Sequence, residues 1–289
     1  MTNATSPQGE TAVMSINRRC EPQRIAPDTW VIRQMFGEGL APASVYVNSM
    51  VIAGPEPVIV DTGPAVARDD WMNDVFSIVD PADVRWVFLS HDDADHVGNL
   101  REVLDLCPRA TLVSNMFTVE RMSADYLLPL HRMLIVNDGD RFTAGDRAML
   151  AVVPPTFDSP TTSGLLDTRT GVYWGVDSFG TAVTSEVTDV AELEPNFYQA
   201  SFLQMNRMLS PWHQWLDAAR YDVHLDRVRS LRASVVASAH GPALHGDQIG
   251  TALEMLAQLP DLPVAPLPGQ AELELVVASF TSPSPAVAV

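Results

Sequence analysis

The segment from Ser90 to His96 carries side-chain types that commonly bind metal ions. It reads Ser-His-Asp-Asp-Ala-Asp-His and directly follows the apolar run VRWVFLS (84–90), which has the pattern of a strand covered on both faces. A rigid strand end can hold ligands to the tolerance that a metal site needs. A solvated acidic turn with Asp95 as a helix N-cap is the alternative, but it leaves the histidines at both ends unexplained. The segment therefore predicts a metal site.

Three other strand-like runs also end in Asp or His. Asp61 follows the run VIV, Asp177 follows VYWGV, and His240 follows the run that begins at Ser234. Each of these alone fits a turn aspartate or a hydrogen-bonded histidine. Together with residues 90–96, they predict ligands that converge at one edge of a sheet.

The elements that must position these residues follow from apolar periodicity and turn signals. Strands are predicted at 29–35, 44–54, 57–63, 84–90, 111–115, 147–155, 171–179 and 234–241. Helices are predicted at 68–79, at about 98–106, over most of 186–232, and at about 247–258, and a further helix is predicted to begin with the run MFTVERM. Two halves, each with strands followed by helices, indicate one layered α/β domain with a sheet-on-sheet core.

The predicted domain covers residues 23–259. Residues 1–22 are predicted to be a loose tail. Residues 260–289 form a Pro-rich C-terminal segment that has one strand-like run, LELVVASF, and no clear place in the fold.

Composition excludes several classes of function. The chain has 289 residues and a formal net charge of −18, so its surface repels nucleic acid and anionic membranes. All 18 basic residues are Arg, which excludes chemistry that needs a P-loop lysine or a Schiff base. Two cysteines, no visible signal peptide and no long apolar stretch predict a cytoplasmic protein without disulfides or a membrane span.

The motifs resemble those of the metallo-β-lactamase fold superfamily, over roughly residues 25–258. The shared features are the 91–96 motif, the Asp after a strand at 177, and the final Ser-Ala-His-Gly-Pro turn. Hydrolases of the superfamily usually have His at the third position of the motif, where this chain has Asp93. That carboxylate and the stretch 154–180 resemble the flavodiiron and oxygen-binding diiron branch. The resemblance implies an α/β fold, the αβ/βα four-layer sandwich.

The resemblance also implies roles for individual residues. His91 and Asp93 match ligands of a first metal, and Asp95, His96 and His240 match ligands of a second. Asp177 matches the carboxylate that bridges the two metals. Asp61 matches an outer aspartate of the Val-Asp-Thr-Gly motif, which orients a ligand rather than binding metal.

One position departs from the family pattern. The family has a further His between the 91–96 motif and the bridging aspartate, and Asp158 aligns with it here. Asp158 either replaces that His as a ligand of the first metal or is an Asx-turn residue before Pro160. His131 is the one other candidate for the missing ligand, and its context fits the end of a helix.

The charge of this ligand set favours redox chemistry. Asp93, Asp95, Asp158 and Asp177 together balance the charge of two divalent ions. This weakens the drive to deprotonate a bound water and stabilises higher oxidation states. A thiolate-free, carboxylate-rich set favours Fe, with Mn or Zn as alternatives.

The leading hypothesis is a dinuclear, diiron oxidoreductase that binds or activates O2. The roughly 50 residues after His240 are too few for a flavodoxin module of about 150 residues, so no FMN is expected. Electrons would come from an external donor or from a small-molecule substrate. Relatives of this branch often form dimers, so a homodimer is an expectation from the resemblance.

Two other functions are open. One is a metal-dependent hydrolase that attacks an ester, lactone, thioester or amide through metal-bound hydroxide, with Asp95 as the catalytic residue that orients the water. The other is a degenerate binding protein that has lost its first metal.

Aromatic and histidine residues further along the chain are candidates for a pocket wall. They are Trp174, Trp212, His213 and Trp215, although His213 and His224 also fit exposed helix positions and the tryptophans fit a core. His245 is close in sequence to His240 and fits a surface position. The Met-rich runs MFTVERM and LQMNRML have the pattern of ordinary helix faces.

Overall fold

Runs of β-branched and aromatic residues form two β-sheets in the computed structural model, which describes residues 17–38, 42–125 and 127–281. The strands are β1 (Asn17–Ala26), β2 (Thr29–Phe36), β3 (Val45–Ile52), β4 (Val58–Val60), β5 (Trp86–Phe88), β6 (Thr111–Ser114), β7 (Met133–Ile135), β8 (Arg141–Ala144), β9 (Arg147–Val152), β10 (Gly164–Asp167), β11 (Val172–Trp174), β12 (Val235–Ser238) and β13 (Gly241–His245). The α-helices are α1 (Arg68–Ile78), α2 (Ala94–Val97), α3 (Leu100–Leu106), α4 (Met116–Met122), α5 (Pro195–Leu209), α6 (Ala218–Ser230), α7 (Asp247–Leu256) and α8 (Gln270–Thr281).

The order of the strands brings particular strand ends together. The first sheet runs from β1 to β7 in sequence order, and β4, β5, β6 and β7 are parallel neighbours. The second sheet has the order β13-β12-β11-β10-β9-β8, in which β11 and β12 are parallel. The carboxyl ends of parallel neighbours lie at the same edge of a sheet, so the loops after β4 and β5 are adjacent, as are those after β11 and β12.

Three apolar clusters hold the layers together. Between the sheets, Phe88 of the first packs in one cluster with Met149 and Trp174 of the second. A second cluster covers the outer face of the first sheet with side chains of α1, α3 and α4, including Trp71, and a third covers the second sheet with α5, α6 and α7, including Phe202. The result is a helix–sheet–sheet–helix stack, which confirms the predicted α/β four-layer sandwich.

Both ends of the predicted domain differ from the structure. β1 begins at Asn17, inside the predicted tail, because it pairs with β2 and its arginines reach distant acidic side chains. Residues 1–16 lie outside the described part of the chain. The C-terminal run predicted to be strand-like lies in helix α8, since a short apolar run fits either structure when no pairing partner is known. The division into tail, domain and Pro-rich segment otherwise remains a prediction.

The sequence pattern also missed several short strands, namely β7, β8, β10 and β13. Over the described ranges, no helix combines the length and the apolar content that a bilayer crossing requires.

Candidate metal centre

Four loops from the two sheets meet at one end of the sandwich. Asp61 follows β4 and the segment 91–96 follows β5, so both lie at the carboxyl edge of the first sheet. Asp177 follows β11 and His240 lies in the turn between β12 and β13, at the corresponding edge of the second sheet. The candidate site therefore needs both halves of the chain.

One group of donor atoms surrounds His91. Its Nε2 lies 3.0 Å from Oδ1 of Asp158, 3.5 Å from Oδ2 of Asp93 and 3.7 Å from Oδ2 of Asp177. Donor atoms that share a metal at about 2.0–2.2 Å lie roughly 3–4 Å apart, and His91, Asp158 and Asp177 offer donor atoms that all lie within 4.8 Å of one another. Asp158, which aligns with a histidine of the family pattern, is part of this group. Asp93 forms another group of this kind with His91 and Asp92.

A second group surrounds His96 and His240. Nε2 of His96 lies 2.9 Å from Oδ1 of Asp177 and 3.7 Å from Oδ2 of Asp95. Nε2 of His240 lies 3.1 and 3.6 Å from the same two oxygens. Asp177 thus directs Oδ1 to one group and Oδ2 to the other, which is the arrangement of a bridging carboxylate.

Several of these donor atoms are buried without a hydrogen bond. Nε2 of His91, Nε2 of His96 and Oδ1 of Asp177 have no hydrogen-bond partner, because the short distances among them lack hydrogen-bond angles. Buried polar atoms are normally paired, since an unpaired one costs about 1–3 kcal/mol. A pair of cations would satisfy all three atoms, so the residues fit a dinuclear metal site.

Each imidazole is held by its other nitrogen. Nδ1 of His91 lies 3.1 Å from Oγ1 of Thr161, Nδ1 of His96 lies 3.0 Å from Oδ2 of Asp61, and Nδ1 of His240 lies 3.0 Å from the carbonyl oxygen of Tyr46. A partner on Nδ1 fixes the ring and its tautomer, which leaves Nε2 as the atom available to a metal.

Asp61 is the most heavily hydrogen-bonded of these outer residues. Besides His96, its carboxylate accepts hydrogen bonds from the backbone N–H and the hydroxyl of Ser90 and from Nε1 of Trp174. Asp61 also has a positive φ of 60°, which aspartate tolerates better than most residues. The carboxylate is therefore fixed in position before it orients His96.

The carboxylates give the centre a strongly negative potential. Burial lowers the pKa of His91, but the carboxylates of Asp158 and Asp93 beside its ring outweigh this effect and raise the pKa to about 10. Burial likewise opposes the charge on Asp177, yet His96 and His240 hold its pKa well below the ordinary value. A site that stabilises protons on imidazoles to this degree also attracts metal cations.

The backbone just before Asp177 is strained. Val176 has a φ of 58°, an unusual conformation for a β-branched residue and one that costs about 1–3 kcal/mol. Its carbonyl oxygen accepts hydrogen bonds from the N–H of Ala239 and the hydroxyl of Ser238. These contacts tie the Asp177 turn to the strand that leads to His240.

The structure brings together all seven side chains predicted to bind metal, and Asp61 lies behind them as expected. Their role as ligands remains a prediction. His131 is exposed and belongs to none of the donor groups found among the described residues.

The four candidates for a pocket wall differ in burial, and the core alternative holds for Trp174. Trp174 is buried behind Asp61, and Trp215 is 79% exposed. Trp212 stacks on Phe157 at 5.2 Å. His213 is buried, not exposed on a helix, because its Nδ1 lies 2.7 Å from the carbonyl oxygen of Leu259.

The two remaining histidines are partly buried and lie outside the donor groups. Nε2 of His224 lies 3.0 Å from the carbonyl oxygen of Pro154, and Nδ1 of His245 lies 2.7 Å from a carboxylate oxygen of Asp189.

Sequence reasoning missed a supporting network at His91. The hydroxyl of Thr161 donates to Oδ1 of Asp92 at 2.8 Å as well as contacting His91. Asp92 is buried and forms an ion pair with Arg121 of α4. The sequence shows that Thr161 closely follows Asp158. It does not show that this turn contacts residues 91–92.

Comparison with known proteins gives a family match over most of this region. The sequence profile described as ODP family beta lactamase matches residues 45–241. Diflavin flavoprotein A 1 of Synechocystis sp. (strain ATCC 27184 / PCC 6803 / Kazusa) is 26% identical over 71% of this chain and 35% of its own length. The chain spans about two fifths of the length of the first curated relatives it matches.

Solved structures share the fold. The flavodiiron protein from Giardia intestinalis superposes with a TM-score of 0.71 at 18% identity, over 84% of this chain and 60% of that one. Rubredoxin oxygen:oxidoreductase from Desulfovibrio gigas gives a TM-score of 0.71 at 12% identity, over 83% and 62%. At these identities the likeness concerns the fold.

Proposed function

The chain belongs to the ODP family of beta lactamases, and from that membership and the geometry of the metal centre we propose that it holds two iron ions and reduces dioxygen. The electrons come from a separate donor. The residues that hold the first iron are His91, Asp93 and Asp158, those that hold the second are Asp95, His96 and His240, and Asp177 bridges the pair.

The observation that carries this proposal is the position of Asp177. Its two carboxylate oxygens face different imidazole groups, with Oδ1 3.1 Å from Nε2 of His240 and Oδ2 3.7 Å from Nε2 of His91. A single buried carboxylate placed in this way supports two ions at the short separation of a dinuclear centre.

The ligand set supports iron. It contains four carboxylates and three imidazoles and no thiolate, since Cys20 and Cys107 are buried elsewhere. Such a set suits iron, and four negative charges favour the loss of electrons from the metals. A bound pair of irons would supply the electrons that dioxygen accepts.

Among the side chains proposed to bind the ions, those of Asp93 and Asp158 are the most exposed. Asp93 and Asp158 have side-chain exposures of 53% and 37%, whereas His91 and His96 are buried. Dioxygen and protons therefore reach the centre from the carboxylate side. The names of the relatives support the same chemistry, since one similar structure is a rubredoxin oxygen:oxidoreductase.

Metal analysis combined with oxygen consumption tests the proposal. We expect protein purified without added metal to contain about two Fe per chain and to consume O2 when a chemical reductant supplies electrons. Asp177→Asn keeps the shape of the side chain but removes its charge, and we expect it to lose both ions and the activity. Asp226→Asn, on the exposed face of α6, is the matched control.

Two Zn per chain with hydrolysis of an ester or lactone would overturn the proposal in favour of the metallo-hydrolase. One ion or none in the unaltered chain would overturn it in favour of a degenerate binding protein.

A further inference from the structure

An apolar pocket of about 620 Å³ opens beside His240. One wall is a face of α5 that includes Phe197, Met205 and Met208, and Val45 at the start of β3 also lines the pocket. The run LQMNRML, predicted to be an ordinary helix face, thus provides much of this wall. Methionine side chains are flexible and polarisable, and they adapt to ligands of varied shape.

The pocket is far larger than dioxygen requires. A diatomic molecule is comparable in size to water, which takes about 30 Å³ in the liquid. A volume of about 620 Å³ instead falls within the roughly 300–1,000 Å³ typical of pockets that bind small organic molecules. The pocket therefore has room for a second, larger ligand.

The wall of the pocket restricts the chemistry of that ligand. Among the described residues that line it, none carries a formal charge other than His240 when protonated. Ser201 and Gln204 are the polar side chains of the α5 wall, and the Ser201 hydroxyl already bonds Thr181 at 2.5 Å. The chain's net charge of −18 also repels anions. An uncharged, mainly apolar molecule with one or two hydrogen-bonding groups fits these features.

The pocket is in direct contact with the metal centre. A Cβ on Gly180 would lie 2.6 Å from Sδ of Met205, 3.0 Å from the carbonyl oxygen of Asp177 and 3.1 Å from Cβ of His240. Met205 therefore packs against the turn that carries Asp177. The side chain of His240 is 19% exposed, so a molecule in the pocket can reach its edge.

We propose that this pocket binds an uncharged, mainly apolar organic molecule, of the size of a two-ring phenol, against His240. This inference rests on the proposed function in one respect: if the diiron proposal holds, the bound molecule lies beside a dinuclear metal centre. Binding itself depends on the apolar wall and does not require the metals.

A titration with 2-naphthol tests the proposal on the full chain, both with its metals and after chelation. The chain carries ¹³C-methyl methionine, and methyl NMR reports the site of binding. We expect saturable shifts of the Met205 and Met208 methyl groups, with Met72 and Met149, which pack in other clusters, unchanged. The anion 2-naphthoate, of similar shape, is expected to bind at least tenfold more weakly.

Two variants that each add one carboxylate, one in the pocket wall and one outside it, test the role of the wall. Met208→Glu is expected to weaken 2-naphthol binding at least tenfold, whereas Val223→Glu, at a 69% exposed position of α6, leaves it unchanged. Absence of saturable shifts, or equal binding of both probes, would overturn the proposal. So would a dimer in sedimentation that Met208→Glu dissociates, because a second copy would then occupy the pocket.

The two proposals fail in different ways. Saturable 2-naphthol binding by a chain that takes up no iron supports the pocket and overturns the diiron function. A chain with two irons and oxygen consumption, but without 2-naphthol binding, overturns the pocket alone.

Discussion

Oδ1 of Asp158 lies 3.0 Å from Nε2 of His91, closer than the nearest oxygens of Asp93 and Asp177 at 3.5 and 3.7 Å. This geometry favours a ligand role over a turn role, because a carboxylate that only supported the Ser159-Pro160 turn would face its own backbone. The family resemblance aligns Asp158 with a histidine, and the structure places its carboxylate beside His91.

Replacing Asp158 tests this role directly. Asp158→Ala is expected to reduce the metal content from two ions to about one, whereas Asp158→His restores a donor and keeps two. The readout is elemental analysis of the purified protein, with Asp226→Ala as the control. An alanine variant that retains two ions would show that Asp158 is a turn residue.

Asp61 is expected to control the affinity of the second ion without binding it. Asp61→Asn keeps the backbone conformation but turns one oxygen that accepts from Ser90, His96 and Trp174 into a donor. Loss of such an outer partner lowers metal affinity about 10–100-fold. Competition with a chelator measures this change.

Trp174→Phe serves as the comparison, because it removes one hydrogen bond to Asp61 and leaves the bond to His96 intact. Equal affinity in the Asp61→Asn variant and the unaltered chain would contradict the assignment.

Arg147 is predicted to stabilise the sandwich. It is 4% exposed and donates to Asp167 at 2.8 Å and to Asp28. Arg147→Met leaves the buried Asp167 without its cation, and breaking a buried pair costs about 3–5 kcal/mol. Urea unfolding measures this free energy, and Arg109→Met at an exposed pair is expected to change it by about 0–1 kcal/mol.

The Asp28 pair also predicts a pH dependence. The hydrogen bond from Arg147 holds the pKa of Asp28 below its ordinary value of 3.8, despite some burial. The stabilisation that the Asp28–Arg147 pair gives to the folded state is therefore complete above the unfolded-state pKa of Asp28. It is lost as the pH falls through the lower folded-state pKa. Asp28→Asn should thus destabilise the protein at about pH 6, and the difference should shrink below about pH 4. A difference in unfolding free energy that is constant with pH would contradict this.

Gly98 allows the segment that carries the candidate ligands His91 to His96 to approach the loop after β4. A Cβ at Gly98 would lie 2.3 Å from the backbone nitrogen of Ala65 and 2.7 Å from the carbonyl oxygen of Gly63. Gly98→Ala is expected to lower the free energy of unfolding by about 1–3 kcal/mol. It should also weaken binding of the second ion, because the displaced segment carries His96 in α2. Unfolding and metal content both report the change.

Gly250→Ala is the matched control, since a Cβ there meets open space in helix α7. It should stabilise the protein by about 0.5–1 kcal/mol.

Most of the candidate ligands, and the outer residue Asp61, could be predicted because they follow a buried strand whose apolar run is visible in the sequence. Asp61, Asp177 and His240 were found in this way, and parallel pairing then brings strand ends together. Asp158 follows no such strand and was assigned from the family resemblance. Contacts between turns were not predictable, since Thr161 reaches His91 across 70 residues. The pocket beside His240 could not be predicted either. The apolar pattern of α5 does not show whether another element covers that face of the helix.

The origin of the ligands in both halves of the chain has a consequence for biosynthesis. His240 lies in the turn between the last two strands of the second sheet, so its imidazole leaves the ribosome only after almost the whole domain has been made. The growing polypeptide offers an incoming cation an incomplete and readily exchanging set of donors. On the proposed ligand set, we therefore expect the finished sandwich, and not the nascent chain, to select among cellular metals.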